Sequence, residues 1–175
     1  MAKINESGEK VGFGRAIADF WRGYVDFSGT TTRAGFWWSA LFLFLLGVVV
    51  TLFAGLVALI AEVALEGAGL GVAEVIVGLV ELGLLLPTLA LLSRRLRDLG
   101  MTNSGIFVNL LVFGILTLAS EAFTLLSNLT GVFSALSTIC AILLFFFEVE
   151  FILFAFLGTG ALLGTRQTFW FRGQA

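Results

Sequence analysis

The sequence predicts an all-α membrane protein, with four transmembrane helices in an antiparallel bundle preceded by an amphipathic interfacial helix. Three observations predict it. Of the 175 residues, 59% are hydrophobic and only 13% charged, where ordinary globular chains carry about 25% charged residues. Apolar stretches long enough to cross about 30 Å of hydrocarbon recur along the chain. All ten Lys and Arg residues fall in three clusters separated by long base-free stretches. The clusters are Lys3, Lys10, Arg15, Arg22 and Arg33; then Arg94, Arg95 and Arg97; then Arg166 and Arg172. Lys and Arg are held back on the cytoplasmic side of a membrane. The alternation therefore predicts both termini and the loop at Arg94–Arg97 in the cytoplasm.

Residues 1–12 form a polar tail, expected to be frayed, and do not have the form of a signal peptide. Residues 13–27 read as an amphipathic helix. Phe13, Ile17, Phe20, Trp21, Tyr24 and Phe27 fall within a sector of roughly 120°, with Arg15, Asp19, Arg22 and Asp26 opposite. Aromatics facing charges suit a helix in the headgroup layer. Gly29 permits a turn, and Ser28 or a following Thr is placed to cap the next helix. Phe36, Trp37 and Trp38 mark the start of the membrane domain, residues 28–165, as an aromatic belt.

The first span is read at about residues 37–61. Its small residues Gly47, Thr51 and Gly55 recur every four positions, a row that lets another helix approach closely, from this chain or a partner. Residues 62–74, with Glu62, Glu66 and Glu74 and no base, read as an external loop. The second span, about 72–93, carries Glu81 near its middle and Pro87, which is expected to kink it. Residues 99–105 form a tight turn, and the third span follows at about 106–127. The stretch 132–164 is about 50 Å long as a helix, too long for one crossing. One crossing within it is expected, either at 132–153 with an interfacial tail or at about 143–164 with an interfacial lead-in. Residues 166–175 form a cytoplasmic tail, with Phe169, Trp170 and Phe171 as an interfacial anchor.

Composition also removes function classes. There is no His and a single Cys, Cys140. A zinc site of the usual Cys/His kind, a Cys–His or Ser–His catalytic pair and an intramolecular disulfide are thereby excluded. No dinucleotide or nucleotide-phosphate fingerprint occurs. The bases are too few and too close to the spans for nucleic-acid binding. The expectation is a protein that is not an enzyme, with no catalytic residues, no cofactor, no metal and no nucleic-acid partner.

The residues left as candidates form three groups. Asp26, Arg33, Arg94, Arg95, Arg97 and Asp98 are a candidate cytoplasmic charge cluster. Arg94 and Asp98 are four apart, so they can pair along a helix turn. Such a cluster locks helix ends or takes lipid phosphate on its Arg forks. Glu74, Glu81, Glu148 and Glu150 are candidate intramembrane polar residues. Glu74 and Glu81 share a helix face, and Glu81 is expected to hydrogen-bond with a Thr, Ser or Asn of another span. Glu148 and Glu150 are two apart and point in nearly opposite directions on a helix. Gly47, Thr51 and Gly55 are the candidate helix-packing residues.

Two segments carry a resemblance. Residues 24–38 (YVDFSGTTTRAGFWW) resemble a motif of the form Tyr/Phe-x-Asp-Phe-Ser-Gly-Arg-x-x-Arg-x-x-Phe-Trp. Residues 94–105 (RRLRDLGMTNSG) resemble Arg-Arg-Leu-His-Asp-x-Gly-x-Ser-Gly-Trp. Both belong to the YhaH-like membrane proteins, the bacterial inner-membrane family catalogued as domain of unknown function 805. Asp26, Phe27, Ser28, Gly29, Arg33, Phe36 and Trp37 match the first motif. Arg94, Arg95, Leu96, Asp98, Gly100, Ser104 and Gly105 match the second. Thr30 stands in place of an Arg, Arg97 in place of the His, and Ile106 in place of the Trp. The resemblance covers about residues 20–127. It implies a multi-pass protein of the bacterial cytoplasmic membrane and no particular chemistry.

The functional expectation is a non-catalytic accessory or scaffold subunit. It would contact membrane lipids and pack against another membrane protein or itself. The alternative is a small oligomeric proton or cation channel or transporter using Glu81 with Glu74.

Overall fold

The computed structural model describes residues 3–6, 10–64, 69–127, 129–163 and 169–171. They form five helices: α1 (Phe13–Arg22), α2 (Arg33–Ala64), α3 (Gly69–Asp98), α4 (Asn103–Leu126) and α5 (Gly131–Phe156). The last four are each long and apolar enough to cross a membrane. The all-α class with four spans is therefore present. Glu66, Arg166 and Arg172 lie outside the described residues. The chain divides into two compact units, Met1–Arg94 and Arg95–Ala175.

In the first unit, α1 is shorter than the periodic run that announces it. It stops at Arg22, and the N–H of Gly23 closes on the carbonyl of Asp19 at 2.9 Å. Tyr24 and Phe27 keep the apolar period but lie beyond the helix. Asp26 instead builds a turn, accepting from the N–H of Ser28 at 3.0 Å and from its hydroxyl at 2.8 Å. The aromatic face of α1 lies on α2: ring centroids are 5.7 Å apart for Phe13–Trp38 and 5.9 Å for Phe20–Phe42. Tyr24 donates its hydroxyl to the carbonyl of Gly83 on α3 at 2.5 Å.

The polar tail is not frayed where it is described. Thr30 N–H donates to the carbonyl of Ile4 at 2.9 Å, and Glu6 N–H to the carbonyl of Thr30 at 3.2 Å. Ile4, Glu6 and Val11 are buried. Gly29 is the residue that admits this segment. A Cβ there would stand 2.2 Å from the carbonyl oxygen of Ile4, a contact no side chain tolerates.

Both ends of α2 reach past the expected span. Thr32 caps it, its Oγ1 accepting from Gly35 N–H at 3.2 Å. At the other end Glu62 is helical, and its carboxylate accepts from the N–H of Gly69 at 3.0 Å, on the first turn of α3. An anion at a helix N-terminus satisfies an orphan donor and opposes the helix dipole favourably. Glu74 likewise lies inside α3, so of the stretch read as a loop from its charge, residues 62–64 and 69–74 are helical. α3 continues through Pro87, which is buried.

In the second unit, α4 and α5 pack as an antiparallel pair joined by a short turn. Contacts run in opposite order along them: Phe123 meets Phe133 at 6.3 Å, and Phe113 meets Phe151 at 5.6 Å. Thr102 caps α4, accepting from Gly105 N–H at 3.1 Å. Within residues 132–163 the chain is one helix as far as Phe156. Leu96, Leu99, Met101 and Ile106 form the unit's buried core, with Phe151, Phe154 and Phe171 against it. Gly100 makes the tight turn before α4 at φ 104°, a left-handed conformation that favours glycine.

Candidate functional site

Arg94 and Arg95 are neighbours in sequence but have different partners. Both side chains are almost wholly buried, at 1% and 2% exposure. A buried guanidinium has to be matched by charge and acceptors, because desolvation costs several kcal/mol per ion.

Arg94 belongs to the first unit. Its Nη1 donates to the carbonyl of Asp19 at 3.2 Å. The carboxylates of Asp26, Glu6 and Asp19 supply the charge that acts on it. Gly23 leaves the room: a Cβ there would lie 1.9 Å from Nη1. The two motifs meet here, since Thr31 N–H donates to the carbonyl of Arg94 at 3.3 Å and Ser93 Oγ to the carbonyl of Phe27 at 3.3 Å. Asp26 also accepts from the N–H of Ile4 at 2.7 Å. Burial alone would raise the Asp26 carboxyl, but hydrogen bonds from Ile4 and Ser28 and the Arg94 charge outweigh it, and its pKa lies below the ordinary value. Glu6 goes the other way. Burial raises its pKa above the ordinary value, opposed only in part by hydrogen bonds from Thr32 N–H at 2.8 Å and Thr32 Oγ1 at 3.0 Å.

Arg95 belongs to the second unit. Its Nη1 donates to Asp98 Oδ2 at 2.6 Å. Its Nη2 donates to the carbonyls of Phe154 at 3.1 Å, Ala155 at 3.4 Å and Leu157 at 2.5 Å. The last carbonyls of a helix have no intrahelical donor and carry the negative end of its dipole. Arg95 thus caps α5. Asp98 continues the join, accepting from Thr159 Oγ1 at 3.0 Å, while its carbonyl accepts from Gly160 N–H at 2.8 Å.

The candidate charge residues therefore sort as follows. Asp26 and Arg94 share one cluster, and Arg95 and Asp98 another. The partner of Asp98 is Arg95, three positions away, rather than Arg94, because Arg94 is turned toward the carbonyl of Asp19. Arg97 donates to Asn103 Oδ1, and Arg33 opens α2 at the surface.

The intramembrane carboxyls also separate. Glu81 lines a groove of about 390 Å³ between α2 and α3, with Thr51, Gly47 and Thr88. Glu74 does not line it. Glu150 faces the side chain of Asn109 on α4, while Glu148 is exposed. Gly47 and Gly55 are open: a Cβ at either meets nothing within 4 Å, so neither brings a helix of this chain close.

Sequence reasoning missed Glu6, Asp19 and Thr159 as partners of the motif residues. Glu6 stands in a stretch of disordered-type composition, and Thr159 lies sixty-one positions from Asp98.

Four apolar helices and buried polar braces at their ends define the class, a multi-pass α-helical membrane protein. Residues 24–160 match the family described as "Protein of unknown function (DUF805)", and the chain belongs to that family. No curated protein and no solved structure matches it.

Proposed function

We propose that this protein is a non-catalytic accessory or scaffold subunit of a bacterial cytoplasmic membrane, docking other membrane helices on the α2 face that carries Gly47, Thr51 and Gly55. In this reading both termini and the α3–α4 connection are cytoplasmic, following the basic clusters, and α1 lies in the headgroup layer. The observation that carries it is the contrast between two sets of residues. The family-motif arginines Arg94 and Arg95 are buried and engaged within the fold. The small residues Gly47 and Gly55 are open to a partner. Small residues let backbones approach in lipid, where packing rather than the hydrophobic effect drives association.

Glu81 in its groove favours a second reading, a proton or cation path. Against it, Glu74 does not line that groove, so the two carboxyls do not form one route.

Extraction of the tagged chain in mild detergent tests the first reading. The expected result is a complex of fixed stoichiometry that Gly47→Leu combined with Gly55→Leu dissociates. Equal recovery of a lone chain from wild type and variant would overturn it.

A further inference from the structure

The groove between α2 and α3 is an apolar cleft with one carboxyl in it. Glu81 lies near the middle of α3 and lines the groove together with Thr51 of α2 and Thr88 of α3. The rest of the wall is Leu and Val, apart from Gly47, where the missing side chain leaves the cleft open. About 390 Å³ exceeds what one side chain fills and suits a long side chain with its flanking neighbours.

An ionised carboxyl at this depth calls for a counter-charge, because isolated ionised groups in hydrocarbon cost several kcal/mol. The hydroxyls of Thr51 and Thr88 can hydrogen-bond to it, but this chain offers it no cation there. No Lys or Arg occurs between Arg33 and Arg94, or between Arg97 and Arg166. The basic side chains of α2 and α3 therefore stand only at one end of each helix, and the interior of every span is free of them. The same fact excludes a second copy of the chain as the source of a counter-charge at this depth. A counter-charge for Glu81 has to come from a different molecule, one that carries its cation on an apolar body.

We infer that the α2–α3 groove seats a transmembrane helix of a different protein, one bearing a Lys or Arg at mid-depth, with Glu81 as its counter-charge. The inference rests on the scaffold reading and names the chemistry of the partner. Glu81 would accept one donor of the cation, and the hydroxyls of Thr51 and Thr88 are acceptors available to the others. Gly47 lets the incoming backbone close on α2. Pairing in lipid makes the contact selective, since a helix without the base leaves the carboxyl unmatched.

The test uses the full chain in phosphatidylcholine vesicles and synthetic Leu/Ala helices of about twenty residues. One peptide carries a central Lys, one a central Leu. Association is read by energy transfer between labelled chain and labelled peptide. The Lys peptide is expected to bind about tenfold more tightly than the Leu peptide. Glu81→Gln should reduce it to the level of the Leu peptide, and Glu74→Gln should leave it unchanged. Both substitutions are at exposed positions, so the fold is retained. Equal binding of the two peptides to wild type, or Lys-peptide binding indifferent to Glu81→Gln, overturns the inference. If both peptides bind equally and Gly47→Leu abolishes both, helix docking on α2 stands and the role of Glu81 falls. A simple alkylammonium that binds as tightly as the Lys peptide also overturns it, marking the groove as a small-amine site.

Discussion

Arg95 holds the end of α5 through one guanidinium that serves a carboxylate and three carbonyls. Removing it leaves Asp98 buried without its charge partner and the α5 carbonyls without a donor. Breaking one side of a buried pair costs about 3–5 kcal/mol. Arg95→Ala is expected to lose about that much in thermal or denaturant unfolding in detergent, and Arg95→Lys to recover only part, since an ammonium lacks the planar fork. A double-mutant cycle with Asp98→Asn should show coupling above about 1 kcal/mol; additive losses would contradict the assignment. At the Arg94 cluster the two shifted carboxyls act oppositely with pH. Asp26 has a lowered pKa when folded, so it adds stability above its unfolded pKa that is lost as pH falls through the folded value. Glu6 has a raised pKa when folded, so its contribution is full at low pH and lost as pH rises through the folded value. Unfolding measured from pH 7 downward should show wild type gaining on Glu6→Gln, and losing toward Asp26→Asn below the ordinary carboxylate range. Identical slopes for all three chains would contradict these surroundings.

At the scale of elements, the spans were legible because hydrocarbon thickness imposes length on apolar helices, and α2 to α5 show it. Their ends were less legible, because caps depend on side chains whose partners lie elsewhere. Glu62 reads as loop by charge, yet it is helical and meets the first turn of α3. The periodicity of residues 13–27 concealed the stop at Gly23, since Tyr24 and Phe27 kept the helical spacing after the helix had ended. The N-terminal tail was misread for a related reason. Its composition is that of a solvated segment, but Ile4 and Glu6 are fixed by Thr30 and Thr32, more than twenty positions away. Gly29→Ala tests that docking: it should cost about 1–3 kcal/mol and make the chain around Ile4 and Glu6 sensitive to protease. Between α4 and α5, Asn109→Ala should cost about 0.6 kcal/mol and no more than about 1.7 kcal/mol in unfolding measured in lipid, the average and upper end for polar contacts between membrane helices.

At the scale of the molecule, the separation of roles is the main result. Polar residues of the family motifs brace helix ends, and the open small-residue face and the groove at Glu81 lie within the membrane spans. The second basic cluster, from which a cytoplasmic connection is expected, contributes two buried braces, Arg94 and Arg95. Topology is testable on a chain with Cys140→Ser, whose native thiol is buried. Cysteines introduced at Lys10 and Arg97 should both react with a membrane-impermeant reagent from the cytoplasmic side only; opposite reactivity would contradict the even number of crossings. The central claim, a docking subunit rather than a conduit, is tested most directly by proton and cation flux through purified protein in proteoliposomes. Wild-type protein is expected to leak no faster than empty vesicles, and Glu81→Gln to change nothing. A flux carried by the wild type and abolished by Glu81→Gln would contradict it.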